Sequence, residues 1–286
     1  MSSFFSRPPE DIVFVSLGMV VLDERHLPDG TVLCDSPGGY QGVNFNERTF
    51  VYTTPPLQPT PANLVGSPLL RSSALHLLAS PQQLEEFVLQ LLQLRTAEGI
   101  SARPLLVWEP SHVSCSSGDL AAHMRAASLV DVYSPNHMEF LATCDPSGAL
   151  PLTNLDGEKI TAHTLRLLDS GVGLQGRGAV VIRCGEHGSV VVTRSYPARW
   201  FPAFYDGAST KVVDATGARN AFLGALAVRF SEVADLTEAA VAGSVAASFA
   251  IEQVGLPRIT FLDGKEAWNG TQFSSRLEEY RAMIRV

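Results

Sequence analysis

The 286-residue sequence has few cysteines, no cluster of basic residues and no long apolar run, and each shortage excludes a class of protein. The four cysteines, Cys34, Cys115, Cys144 and Cys184, are far apart and form no CxxC pair. We therefore expect free buried thiols rather than disulfides, and no metal cluster.

Charge and hydropathy also limit the partners and the location. The net charge of −8 argues against nucleic acid, because duplex binding depends on Lys and Arg that neutralise phosphates. No segment approaches the roughly 20 apolar residues that a membrane span requires. The apolar run near the N-terminus lacks the basic region that precedes it in a signal peptide, so we expect it to form a first buried strand that ends near Asp23. We also expect a cytoplasmic protein with no membrane partner.

From about residue 70 onward, short apolar segments alternate with helical patterns, which predicts an α/β fold with a mainly parallel sheet covered on both faces. The hydrophobic content of 45% is typical of a globular chain, and we expect one domain over residues 1–286. The predicted strands are Ala74–Ala79, 105–108, 130–133, Ala179–Arg183 and Ser189–Thr193. The predicted helices are 81–98, with Ser80 as N-cap, and 236–253.

Residues 28–73 follow a different pattern, with much of the proline and glycine of the chain and no convincing helix. A strand-like piece occurs at 49–53. This region is predicted to be a small β appendage, a lid or an irregular connection across the edge of the sheet.

The stretch VVDATGARNAF, residues 212–222, joins β-branched residues to a helical pattern through a turn. It predicts a strand that leads into a helix, with turn and capping residues at Asp214, Thr216 and Gly217. Backbone N–H groups at such a helix start point outward without partners. The stretch is therefore a candidate anion site.

Five motifs occur in a fixed order: GMVVLDE with Asp23, the pair Gly38-Gly39, SPNHMEF, RCGEHG and DATGARNAF. In this order they resemble the ribokinase-like, or PfkB, carbohydrate and nucleoside kinases, continuously from about residue 105 to 255. The resemblance implies a three-layer α/β/α fold with a reduced β lid. WEP at residues 108–110, SPN and RCGE are similar to divergent fungal members.

The resemblance also implies roles for single residues. Asp23 would bind substrate hydroxyls, Gly38 and Gly39 would form the hinge between lid and core, and Asn136 and Glu139 would lie near magnesium and phosphates. ATP would be held by backbone in the two glycine motifs, at Gly185, Gly188, Thr216, Gly217 and Ala218.

Two residues depart from the family signature Asp-Thr-x-Gly-Ala-Gly-Asp-x-Phe. Arg219 replaces the second glycine, and Asn220 replaces the aspartate that acts as general base. An amide accepts no proton at neutral pH, and general-base catalysis is typically worth about 10²–10⁴-fold. Arg219 has three alternatives: it fills the space of the phosphate, it binds a phosphate or carboxylate, or it points to solvent.

Other candidate residues have structural interpretations as well. Asn136 and Glu139 have the spacing of a capping box. Glu109 follows a buried strand at its C-terminal end, where open α/β sheets bind ligands, which makes it a substrate-binding candidate. The histidines show no Ser/His/Asp or metal spacing, and we interpret them as surface or core residues: His26, His76, His112 and His137.

The chain also lacks part of the family pattern, since only 34 residues separate Gly39 from Ala74. The segment missing there normally helps to wall the sugar site, so the usual sugar specificity does not carry over. Three functions remain: a degenerate member that binds a small molecule with ATP and Mg binding weakened or lost, an active ATP-dependent kinase of a sugar-like or nucleoside-like alcohol, and an enzyme repurposed for isomerisation, elimination or cyclisation. A homodimer paired through a shortened lid is a fourth, structural alternative.

Overall fold

The computed structural model describes residues 13–18, 22–26, 32–37, 57–145 and 155–284. Within them the strands, numbered in chain order, are β1 (Phe14–Leu17), β2 (Leu22–His26), β3 (Val32–Pro37), β4 (Ala74–Ala79), β5 (Leu105–Pro110), β6 (Val132–Tyr133), β7 (Ala179–Arg183), β8 (Ser189–Thr193), β9 (Arg199–Phe201), β10 (Ile259–Leu262) and β11 (Lys265–Trp268). The helices are α1 (Pro81–Ala97), α2 (Leu120–Ala127), α3 (His137–Cys144), α4 (Gly157–Gly171), α5 (Ala218–Val233), α6 (Leu236–Ala250) and α7 (Phe273–Ile284).

The central sheet has seven strands in the order β1-β4-β5-β6-β7-β8-β9. Pairing is parallel from β1 to β7 and antiparallel from β7 through β9. One apolar core lies between the sheet and α1 to α4, and a second lies between the opposite face and α5 to α7. The predicted α/β architecture, with a mainly parallel sheet between two helical layers, is confirmed.

Helix α1 illustrates how local sequence sets an element. The Ser80 hydroxyl accepts the Gln83 N–H, the Gln83 side chain accepts the Ser80 N–H, and Pro81 occupies the first turn, where its missing N–H costs nothing. Buried side chains at helical spacing then fix this helix to the sheet: Leu84, Phe87, Val88 and Leu91.

The stretch before α5 corrects one prediction. Val212 and Val213 form no strand, and their side chains are exposed. The N–H groups of Val213 and Asp214 instead donate to the Ile251 carbonyl beyond the end of α6. The β-branched residues gave a strand pattern, but these N–H groups bond to the end of α6 and pair with no strand of the described sheet.

The predicted 28–73 region is only partly described. Strands β2 and β3 form a separate antiparallel pair, and two short 3₁₀ turns, Pro61–Leu64 and Pro68–Arg71, precede β4. These turns bury Leu64 and Leu70 where we expected no helical structure. The strand-like piece 49–53 lies outside the described residues.

Two further expectations concerned free thiols and membrane-spanning helices. Cys115, Cys144 and Cys184 are free, and burial raises the pKa of each thiol to about 12. Among the described residues, no helix is long and apolar enough to cross a membrane.

Candidate functional site

The face of the sheet that packs against α5 changes from apolar to polar toward the C-terminal ends of its parallel strands. Alternate residues of a strand share a face, and on this face Val107 and Val181 lie in the apolar core. Two residues further along, the same alternation places Glu109 on β5 and Arg183 on β7. A polar patch therefore forms at the strand ends, next to the apolar core.

Glu109 is at the centre of this patch and is only 1% exposed. Its Oε1 accepts from Arg183 Nη2 at 2.8 Å and lies 3.0 Å from Arg219 Nη1. Its Oε2 lies 3.1 Å from His76 Nε2. Three side chains from β4, β7 and α5 thus converge on one carboxylate, and each stabilises its ionised form.

The pKa of Glu109 reflects this convergence. Burial alone would raise it, but the Arg219 and Arg183 charges and the His76 hydrogen bond outweigh burial and hold the pKa well below its ordinary value. Glu109 is therefore a carboxylate at any physiological pH.

The first turn of α5 brings Arg219 to this carboxylate. Asp214 Oδ1 accepts the Thr216 N–H at 3.0 Å and the Thr216 hydroxyl at 2.8 Å. Gly217 follows with φ +84°, a left-handed conformation that favours glycine, and the helix begins at Ala218. A Cβ at Gly217 would meet nothing within 4 Å, so the backbone at the helix start is open.

Arg219 itself does not point freely to solvent. Its Nη1 contacts Glu109 and lies 3.9 Å from Glu139 Oε1, while the side chain as a whole is 36% exposed. The charge of Glu109 raises the pKa of Arg219. Of the alternatives considered from sequence, the geometry is that of a guanidinium bound to a carboxylate, with the carboxylate supplied by the protein. Asn220, the next residue, is exposed.

Asn136 and Glu139 form the capping box that their spacing indicates. The Asn136 side chain accepts the Glu139 N–H at 2.8 Å, and Glu139 Oε2 accepts the Asn136 N–H at 2.9 Å. Burial raises the pKa of Glu139, the nearby Arg183 charge opposes the rise, and the Glu109 charge adds to it.

These residues fit a divalent cation poorly. We name His76, Glu109, Glu139, Arg183 and Arg219 the charge cluster. Its two carboxylates face two guanidiniums, so a metal ion beside them would meet positive charge rather than free carboxylates. In the part of the chain that the structure describes, no group of three or more His, Cys, Asp or Glu side chains is placed to hold a metal.

The second glycine motif is a tight turn between β7 and β8. Gly185 has φ +58°, and a Cβ there would meet nothing within 4 Å. Gly188 has φ +85°, and a Cβ there would lie 2.0 Å from the Phe201 carbonyl oxygen. Close packing against β9 therefore explains Gly188, whereas Gly185 is open to a ligand.

Of the remaining candidates, Asp23 lies on a described strand of the separate β2–β3 pair. Strand β1 ends at Leu17, and Asp23 is the second residue of β2, opposite Ser36 of β3, rather than at the end of the first strand. The first strand stops earlier than its apolar pattern indicated. Gly38 and Gly39 lie outside the described residues.

Sequence reasoning missed three residues of the site. Arg183 and Ser16 were not among the candidates, and His76 was interpreted as a surface or core residue, although its Nδ1 is 2.9 Å from Ser16 Oγ. Only Arg183 gave a signal, as the charged last residue of the otherwise apolar strand β7. The interpretation of His76 as a core residue agrees with its 2% exposure, but it overlooked the contacts with Ser16 and Glu109.

Comparison with known proteins gives a consistent result. Residues 31–258 match the model of the pfkB family of carbohydrate kinases. Protein MAK32 of Saccharomyces cerevisiae is 29% identical over 256 residues, covering 84% of this chain and 68% of that protein. An uncharacterized protein of Schizosaccharomyces pombe is 28% identical over 286 residues, covering 91% of this chain and 76% of its own length.

A solved phosphofructokinase-2 variant from Escherichia coli is similar in fold, with a TM-score of 0.50 and 15% identity. The match covers 74% of this chain but 57% of that chain. This chain therefore spans little more than half the length of that solved relative.

Proposed function

The chain belongs to the pfkB family of carbohydrate kinases, and from this premise we propose that it binds a small molecule at the charge cluster but has lost efficient ATP-dependent phosphoryl transfer. The charge cluster then serves binding or a reaction other than phosphoryl transfer. A domain that spans residues 1–286, a reduced lid at 28–73, a cytoplasmic location and pairing of two chains belong to the same proposal.

One observation carries the proposal: the Arg219–Glu109 ion pair at the first turn of α5. In the family signature this position is a glycine, which leaves the helix N-terminus open to a phosphate. Here a guanidinium occupies it and is neutralised by a buried carboxylate. A triphosphate would have to draw Arg219 away from Glu109, at the cost of exposing that carboxylate to an anion.

The balance of charge supports the same conclusion. Two carboxylates, Glu109 and Glu139, face two guanidiniums, Arg183 and Arg219. Such a cluster is complete without a divalent cation, whereas phosphoryl transfer in kinases depends on metal ions that neutralise the phosphates. Asn220 also gives the site no general base at the signature position.

An active kinase remains a second candidate, because the backbone at Gly217 is open and Gly185 is unobstructed. The N-terminus of α5 then still favours an anion through its unpaired N–H groups. In that case Arg219 would be a phosphate ligand once released from Glu109.

The test is an ATP-consumption assay with magnesium and a panel of sugars and nucleosides. It compares the natural protein with Asn220→Asp and with Arg219→Gly/Asn220→Asp. We expect no substrate-dependent ATP consumption by the natural protein or by the single variant, because Arg219 remains bound to Glu109 in both.

Substrate-dependent turnover by the natural protein within the family's ordinary range would overturn the proposal. Turnover gained by the double variant alone would support it. It would show that the fold retains a phosphoryl-transfer site closed by Arg219.

A further inference from the structure

A hydrogen-bonded chain of three side chains crosses β1, β4 and β5 at the edge of the charge cluster. Ser16 Oγ lies 2.9 Å from His76 Nδ1, and His76 Nε2 lies 3.1 Å from Glu109 Oε2. Ser16 and His76 are direct partners in the parallel pairing of β1 with β4. The sheet itself therefore holds the serine against the imidazole.

The proton positions in this chain follow from the charge of Glu109. Because Glu109 is held as a carboxylate, it accepts a hydrogen bond, and His76 Nε2 must carry the donating proton. In the neutral ring Nδ1 then has a free lone pair, which faces the Ser16 hydroxyl. This is the arrangement of a nucleophile, a general base and a carboxylate that orients the base.

Exposure matches these roles. Ser16 is exposed, whereas His76 is 2% and Glu109 is 1% exposed. The serine is thus accessible to a substrate, while the imidazole and the carboxylate behind it are shielded from solvent. A structural hydrogen-bond chain has no need of an exposed serine at its end.

We propose that Ser16, His76 and Glu109 form a nucleophilic triad that transfers acyl groups from small esters through Ser16. This inference rests on the proposed function, in that the charge cluster serves a reaction other than phosphoryl transfer. Ser16 and His76 act as catalytic residues, and Glu109 acts as a positioning residue that fixes the tautomer of His76.

The steps balance as follows. Ser16 Oγ attacks the ester carbonyl carbon while its proton passes to His76 Nδ1, and the C–O bond to the alcohol breaks as Nδ1 returns that proton to the leaving oxygen. A water molecule then gives a proton to Nδ1 and attacks the acyl–serine carbonyl. The acid is released, and Nδ1 returns the proton to Ser16 Oγ.

The two arginines on Glu109 set the expected speed. They share its charge, so Glu109 supports the imidazolium less than an unpaired carboxylate would. We therefore expect slow ester hydrolysis, with covalent labelling of the serine as the more sensitive measurement.

The experiment treats the purified protein with a fluorophosphonate probe and locates the label by peptide mass spectrometry. Ser73→Ala is the matched control, because Ser73 is also exposed beside the same strands but its hydroxyl donates to the Val13 carbonyl. We expect the label on Ser16, no change in Ser73→Ala, and a loss of about 100-fold or more in the labelling rate of His76→Gln. Absence of label on Ser16 in folded protein would overturn the triad.

A second variant keeps the test decisive if His76→Gln fails to fold. The thiol introduced by Ser16→Cys should be alkylated by iodoacetamide at pH 6–7 at least about 10-fold faster than that introduced by Ser73→Cys, because a neighbouring imidazole favours the thiolate. Equal rates would contradict the proposal. ATP consumption is measured in parallel. Kinase activity in the natural protein would refute the proposed function, whereas absence of label on Ser16 would refute the triad, so the two failures are distinguishable.

Discussion

Replacement of Glu109 by alanine removes the carboxylate on which His76, Arg183 and Arg219 converge. Arg183 is 9% exposed, and after the change its guanidinium keeps only the Ser134 carbonyl among the partners described for its Nη2. Removing one partner of a buried ion pair typically costs about 3–5 kcal/mol, because the other charge stays buried without compensation. We expect a loss of that size in the free energy of unfolding of Glu109→Ala.

The companion change, Arg219→Ala, should cost much less. Arg219 is 36% exposed, so solvent already screens its attraction to Glu109, and Arg183 still compensates that carboxylate. Because only the carboxylate of this pair is buried, its loss should cost less than the about 3–5 kcal/mol of a fully buried pair. We therefore expect the loss in the free energy of unfolding to be larger for Glu109→Ala than for Arg219→Ala.

The assay is urea unfolding followed by circular dichroism and by tryptophan fluorescence, with agreement of the two signals as the check for two-state behaviour. Glu85→Ala is the control, since Glu85 forms a 3.9 Å ion pair with Arg125 in which both side chains are exposed. It should stay within about 0.5 kcal/mol of the natural protein. A loss below about 1 kcal/mol for Glu109→Ala, or an equal loss for Arg219→Ala, would refute the reasoning.

Further predictions concern pH and backbone conformation. The pKa of Glu109 is depressed in the folded state. Its contribution to the free energy of unfolding is therefore complete above the ordinary pKa of 4.5 and declines as the pH falls below that value. The stability difference between the natural protein and Glu109→Gln should shrink in urea titrations run from pH 6 down to pH 3. The pKa of Glu139 is raised instead. Glu139→Gln keeps an acceptor for the Asn136 N–H, so this variant should be at least as stable as the natural protein at pH 7 and should lose that advantage as the pH falls toward 4.5. A large loss of stability at pH 7 would show that ionised Glu139 stabilises the fold, contrary to this prediction. Gly188→Ala should destabilise the protein more than Gly217→Ala. Both positions have positive φ, which costs an alanine about 1–2 kcal/mol, but only at Gly188 would the new Cβ lie 2.0 Å from the Phe201 carbonyl oxygen. Equal urea midpoints for the two variants would contradict this.

The fold could be predicted from sequence where local pattern and tertiary context agree. Strands β4, β7 and β8 match their apolar runs residue for residue, and α1 carries a start signal that the structure reproduces at Ser80. The pattern failed at Val212 and Val213, because a tertiary contact, the Ile251 carbonyl beyond α6, takes the Val213 N–H in place of a neighbouring strand. Sequence shows the β-branched residues but not the hydrogen-bond partner that replaces a strand.

The site was predictable only in part. Glu109 was a candidate from its position after a buried strand, and Arg219 from its departure from the family signature. Their contact joins residues 110 positions apart and depends on strand order and on the placement of α5, which no local spacing reveals. The Ser16–His76 pair depends in the same way on β1 lying beside β4.

The measurement that tests the central claim most directly is calorimetric titration with ATP and magnesium, in identical salt, of the natural protein and of Arg219→Gly/Asn220→Asp. If the Arg219–Glu109 ion pair closes the anion site at the start of α5, the natural protein binds no nucleotide and the double variant does. If both proteins bind ATP with similar affinity, the site tolerates Arg219, and the claim that the Arg219–Glu109 ion pair closes it to nucleotide is wrong.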